Sequence, residues 1–210
     1  VESLMDLAVN SAHTVSGRIA REELDSYDEN YAHRPRTQTQ RELEREFEAL
    51  SKNGKFDWSF DRVAAGYARP DWQLQNDLLS FYKGRFESGL SRHRAAIQDL
   101  KNHRSAYPQS AFADRALYYL GRSAYLDDQD SLAITSLTRV ADSSRDTALA
   151  NQALELLGLL YMDRHRPRDA AIVLQRWVDR SRDLPSRPDA LWRLGWALWE
   201  TEDFRGARQA

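Results

Sequence analysis

Three stretches fix the reading of this chain: Ala116-Leu117-Tyr118-Tyr119-Leu120-Gly121, Ala153-Leu154-Glu155-Leu156-Leu157-Gly158 and Ala190-Leu191-Trp192-Arg193-Leu194-Gly195. All three read A-L-x-x-L-G, and each starts 37 residues after the one before. An alanine follows each glycine by twelve residues, at Ala133, Ala170 and Ala207. A fixed period of this length is the mark of a stacked repeat, and it outranks any single-residue reading.

The spacing has a physical reason. Leu117, Leu120 and Ala124 step by three and four, which puts them on one stripe of a helix. Leu154, Leu157 and Tyr161 repeat the stripe, as do Leu191, Leu194 and Leu198. Glycine inside a helix costs about 1 kcal/mol relative to alanine, so its recurrence points to close approach by a second helix. The alanines twelve residues on are then expected to be the small partners on that helix. Short polar turns lie between, at 127–130, 163–167 and 202–203. Each unit is predicted to be an antiparallel helix pair.

With these residues in place the chain resembles the tetratricopeptide repeat (TPR) family, whose pattern is W-x-x-L-G-x-x-Y, then A-x-x-x-F. Here it stands as Leu154, Leu157-Gly158 and Tyr161, then Ala170 and Leu174. The family's period is 34, so three residues are added per unit; its Trp is Leu here and its Tyr is kept only at Tyr161. The segment Tyr107-Pro108-Gln109-Ser110, ahead of a repeat, is similar to bacterial envelope members such as outer-membrane assembly lipoproteins and the Tol-associated periplasmic repeat protein. The helical, non-catalytic arm of soluble lytic transglycosylases is similar as well. The resemblance covers residues 70 to 210. It implies an all-α fold of TPR-like helix pairs stacked into a right-handed superhelix, an α-solenoid, with an N-terminal helical extension.

The domain reading follows. Residues 1–69 form an N-terminal helical region without a repeat, and 70–210 carry repeats at 70–106 (degenerate), 111–146, 147–184 and 187–210. Within 1–69, apolar residues from Leu4 to Tyr31 predict one long helix over 2–32, ended by Pro35. A part of that stripe fits a heptad and would allow self-association. A second helix is predicted over 37–52, with Leu43, Phe47 and Leu50 buried and its glutamates on a solvated face; Asn53-Gly54 stops it. Phe56, Trp58 and Phe60 precede a helix over 61–68. In the degenerate repeat a helix is expected from Asp71 to Tyr82, a turn at Lys83-Gly84-Arg85-Phe86, and a long helix to Ser105. Gly89 is then the counterpart of Ala133, a step of 44 that implies two extra helical turns.

Composition bounds the function. The 210 residues are 41% hydrophobic and 30% charged with a net charge of −2, which gives no global pull toward nucleic acid or an acidic membrane. All but four of the 30 basic residues are arginine, a side chain suited to planar ion pairs and interfaces. With no cysteine, disulfides, thiolate catalysis and zinc–cysteine sites are excluded. No apolar run is long enough to span a membrane. The chain begins at Val1 and stops inside the last repeat, so it reads as a piece of a longer protein.

Chemistry finds little footing. His13, His33, His93, His103 and His165 are scattered and read as surface residues; no metal site, cofactor or catalytic residue is expected. Neither G-x-G-x-x-G nor a P-loop occurs. The transglycosylases' catalytic glutamate lies in a separate domain with no counterpart here. The best candidate is a partner-binding row. Trp192, Trp196 and Trp199 step by four and three along one face of a helix. Tyr118, Arg122 and Tyr125 hold the matching places two repeats earlier, and Met162 lies between. The resemblance implies that this face lines the concave inner groove. Aromatics and arginine are what binding hot spots favour; the competing reading packs the tryptophans into a core. The family's carboxylate clamp of lysines and asparagines is absent at these places, which argues against chaperone-tail binding. The expected function is a non-enzymatic protein–protein scaffold in a bacterial envelope complex, periplasmic or envelope-associated, binding a protein or peptide with peptidoglycan as a neighbouring surface. The alternative is the non-catalytic arm of a peptidoglycan-cleaving enzyme.

Overall fold

A computed structural model describes residues 40–57, 61, 63, 76–182 and 184–209. The predicted helix over 2–32, the boundary at 69/70, and Trp58 and Phe60 lie outside the described residues. So does most of the helix expected over 61–68, although Asp61 and Val63 are helical.

Among the described residues the regular structure is helical: α1 (Gln40–Lys52), α2 (Asn76–Gly89), α3 (His93–Ala106), α4 (Ala113–Leu126), α5 (Asp130–Ser143), α6 (Thr147–Asp163), α7 (Pro167–Arg180), α8 (Arg187–Glu200) and α9 (Phe204–Gln209). The chain divides into two compact units, Val1–Ser110 and Ala111–Ala210. In the first unit α2 packs on α3 and, more lightly, on α1. In the second, α4 pairs with α5, α6 with α7 and α8 with α9, and each pair packs on the next. This is the consecutive helix-pair packing of an α-solenoid.

Gly121 and Gly158 sit at close helix contacts as expected, but their partners differ. A Cβ on Gly121 would stand 2.7 Å from Leu137 Cγ, and one on Gly158 would stand 2.5 Å from Leu174 Cδ2. Real Cβ contacts are never so short, so the leucine sits directly on the bare helix backbone. The residue that needs the glycine is therefore the leucine sixteen positions on, not the alanine twelve on. Ala133 and Ala170 are fully buried beside it.

The first hairpin corrects the sequence reading. α2 runs unbroken through Lys83-Gly84-Arg85-Phe86, and the turn falls at 90–92. Gly84 is the repeat glycine, since a Cβ there would lie 2.6 Å from Leu100 Cγ, and Ala96, not Gly89, is the counterpart of Ala133. Gly84, Ala96 and Leu100 precede Gly121, Ala133 and Leu137 by the same 37 residues, so no helical turns are inserted.

Among the described residues, the turns α2–α3, α4–α5, α6–α7 and α8–α9 have the same backbone. Ser91, Asp128, His165 and Glu202 each take a left-handed φ, of 59, 56, 54 and 64°, again at steps of 37. After each, an N–H reaches back five residues: Arg92 to Glu87 O (2.9 Å), Gln129 to Ala124 O (2.8 Å), Arg166 to Tyr161 O (2.8 Å) and Asp203 to Leu198 O (3.0 Å). This is the closure that satisfies a helix's last carbonyls, usually with glycine at the left-handed place. Here none of the four is glycine. The next helix starts on a proline in α7, where its missing N–H costs nothing. Helix α6, which follows α5 and none of these turns, starts on the Asp146 carboxylate, which accepts from Leu149 N–H at 3.1 Å.

In α1 the predicted core residues Leu43, Phe47 and Leu50 are buried. The glutamate face is not wholly solvated, however. Glu48 accepts from Tyr82 Oη at 2.7 Å and pairs with Arg85 at 2.6 Å, which ties α1 to α2. Phe47, Tyr82 and Phe86 stack around that bond.

Candidate functional site

The predicted row lies on α4, α6 and α8, the first helices of three successive pairs within the second unit. α4 packs against α6 and α6 against α8. The 37-residue step aligns Tyr118, Glu155 and Trp192 in one rank, Arg122, Leu159 and Trp196 in the next, and Tyr125, Met162 and Trp199 in the third.

The ranks differ sharply from one end to the other. On α8 the tryptophans stand in solvent: Trp192 is 70% exposed, Trp196 56% and Trp199 61%. Trp192 and Trp196 meet edge to face at 6.5 Å, and Trp199 meets Phe204 across the turn to α9 at 4.9 Å. On α4 and α6, Tyr118, Arg122, Tyr125 and Met162 are half-buried.

The tyrosines are engaged by neighbouring helices. Burial is the main cause that raises the Tyr118 phenol above its ordinary value, with Tyr119 and Glu155 adding to it against Arg122. Tyr125 Oη donates to Asp163 on α6. Burial, then that bond and the Asp163 charge, push its phenol up to about 12. Arg164 lies 5.9 Å from the Tyr125 ring centre and reaches back to Asp130 (2.8 and 3.0 Å) and Asp128 (2.6 Å). The hydrogen bond to Asp130 leads the causes that hold this guanidinium charged. One rank over, Arg193 on α8 pairs with Glu155 on α6 at 3.0 Å. Both Tyr125–Asp163 and Glu155–Arg193 span 38 residues, one more than the repeat, which joins each first helix to the next. These bonds hold the ranks in line.

Sequence reasoning missed Phe204, which extends the aromatic patch. The signal is faint, an aromatic five residues after Trp199 across a turn. It also missed the Asp128–Asp130–Arg164 bridge, because that offset carries no pattern until helices are stacked.

Ser110, Asp77 and His103 lie together beside the start of α2. Ser110 Oγ donates to Asp77 Oδ1 at 2.6 Å, while His103 lies beside the same carboxylate. Among the described residues no three His, Asp or Glu side chains are grouped to hold a metal, and no helix is long and apolar enough to cross a membrane. His103, expected at the surface, is fully buried. His13 and His33 lie outside the described residues.

No family profile matches the chain, and no curated protein does. Solved structures do. A Podosopora anserina protein of nearly identical TPR-like repeats, described as kinesin light chain-like, aligns with 90% of this chain and 88% of its own at a TM-score of 0.55. A point variant of that protein aligns equally well over 87% of its length. The fold is TPR-like. Sequence identity to both is 15%, so the likeness concerns the fold.

Proposed function

We propose that this chain is a non-enzymatic protein-interaction scaffold of a bacterial envelope complex. The row from Tyr118, Arg122 and Tyr125 through Met162 to Trp192, Trp196 and Trp199 is its gripping face. The observation that carries the reading is the exposure of three tryptophans on one face of α8. A soluble chain that leaves that much aromatic surface in water has a use for it, since contiguous exposed apolar surface marks interaction sites. The TPR-like fold supports a protein or peptide as the partner. A helix or extended peptide fits a row of ranks set by parallel first helices. The tryptophans supply the apolar anchors, and Arg122 with the Glu155–Arg193 pair supplies polar edges. The envelope placement rests on the similarity of the Tyr107-Pro108-Gln109-Ser110 segment to envelope repeat proteins.

The test is capture of partners from envelope and cytosolic extracts by the parent and by Trp192→Ala/Trp196→Ala, with folding of both checked by circular dichroism. A buried aromatic anchor is worth about 2 kcal/mol or more of binding, so the variant is expected to lose its envelope partners at least tenfold. An unchanged set of partners would refute the gripping face. Partners drawn only from cytosol would refute the envelope placement.

A further inference from the structure

In the α2–α3 hairpin one buried side chain is out of keeping with its position. His103 is fully buried, and the residues 37 and 74 positions on are Val140 and Trp177, both buried apolar side chains. An imidazole thus occupies a core place. Neither of its ring nitrogens has a hydrogen-bond partner. Its ring centre lies 6.0 Å from that of Phe81 and 5.6 Å from that of Tyr107. Nε2 stands 3.8 Å from Asp77 Oδ1, too far for a hydrogen bond. That oxygen also accepts from the Ser110 hydroxyl at 2.6 Å. Through this bond the turn at 107–110 is fastened to the first turn of α2. Tyr107 N–H to His103 O (2.8 Å) and Ser110 N–H to Tyr107 O (3.0 Å) also hold the turn.

We propose that His103, Asp77 and Ser110 form a proton-responsive latch, in which protonation of the buried imidazole draws Asp77 toward Nε2, weakens the bond it accepts from Ser110 and loosens the 107–110 turn. The imidazole takes up one proton from solvent and becomes a cation among the Phe81 and Tyr107 rings. An unpaired buried charge is costly, so it must find an anion or reach water. Among the described residues two charged groups face it: Asp77 from α2, and Arg104 from its own helix, which repels it. Asp77 is the acceptor of that pair, and closing the 3.8 Å gap to Nε2 moves the carboxylate against the bond it accepts from Ser110.

The direction of the pH response follows. Burial outweighs the attraction of Asp77 and holds the folded imidazole below its ordinary value. The unfolded chain then binds the proton at higher pH than the folded one, and stability is lost as pH falls through the ordinary range near 6.5. For a group that stays neutral when folded, the folded-to-unfolded ratio falls by up to about fivefold between pH 6.5 and 5.5.

The experiment is an NMR titration of the full 210-residue chain from about pH 7.5 to about 5, bracketing the ordinary histidine range. It follows the His103 ring protons and the exchange protection of the Ser110 amide, corrected for intrinsic rate. The expected result is a His103 midpoint below that of free imidazole and a several-fold loss of Ser110 protection as it titrates. His103→Val, which copies Val140, is expected to keep that protection constant over the same range. Asp77→Asn, which can still accept from Ser110, is expected to lower the midpoint further; it answers the question even if His103→Val does not fold. A midpoint at or above the ordinary histidine value would overturn the latch. So would equal protection loss in His103→Val, or an unmoved midpoint in Asp77→Asn.

Discussion

The α2–α3 hairpin and the hairpins α4–α5 and α6–α7 share one backbone frame and differ in what fills it. All have a glycine under a leucine sixteen residues on, and all close on a left-handed residue at the same place. Between those fixed points the later hairpins are apolar. Leu120, Ala124 and Val140 correspond to Lys83, Glu87 and His103, and Ser136 corresponds to Asp99. Lys83 pairs with Asp99 at 3.0 Å. Glu87 is buried, and that burial raises its carboxyl above the usual range, although Arg92 stands 3.6 Å away. The repeat is thus defined by a turn and one close helix contact, not by the leucine-rich motif that announces it. Polar side chains enter the first hairpin without moving its frame.

The largest effect is expected from filling the glycine socket in both regions. Gly84→Leu and Gly158→Leu should each lose about 1–3 kcal/mol or more, since both would drive a side chain into a seated leucine. Urea unfolding monitored by circular dichroism measures it. If the chain instead turned at 83–86, Gly84→Leu would be nearly silent, and a silent Gly84→Leu would separate the first hairpin from the others.

That substitution also marks where sequence reading stops. The 37-residue period reveals the helix pairs, their glycines and the turns near Asp128, Pro167 and Glu202, because apolar spacing is strong in 111–200. It fails in the first hairpin because Lys83 stands where the later units have leucine. With the motif gone, Lys83-Gly84-Arg85 reads as a turn by composition alone. Only Leu100, packed on Gly84, shows that the glycine lies inside a helix. His103 reads as a surface residue for a related cause, a polar side chain at a position whose burial depends on register. At the proposed binding row, the sequence supplies the ranks but not their state. The Tyr125 and Asp163 side chains are joined across the 38-residue offset, whereas the α8 tryptophans lie open.

A smaller effect concerns the shared turn. Side chains other than glycine pay about 1–2 kcal/mol in the left-handed conformation, part of which glycine returns as unfolded-state entropy. Ser91→Gly and Glu202→Gly should each be neutral to stabilising, by up to about 1 kcal/mol, in the same unfolding experiment. A loss in either would mean that the common turn is not what closes that hairpin.

The smallest expected effect bears on the proposed gripping face, whose α8 tryptophans are largely exposed. The measurement is the melting temperature of Trp192→Ala/Trp196→Ala beside the parent chain. Rings 70% and 56% exposed carry little of the folding energy, so the two melting curves should coincide within a degree or two. A fall as large as that caused by Gly158→Leu would contradict the open face and return these rings to the core.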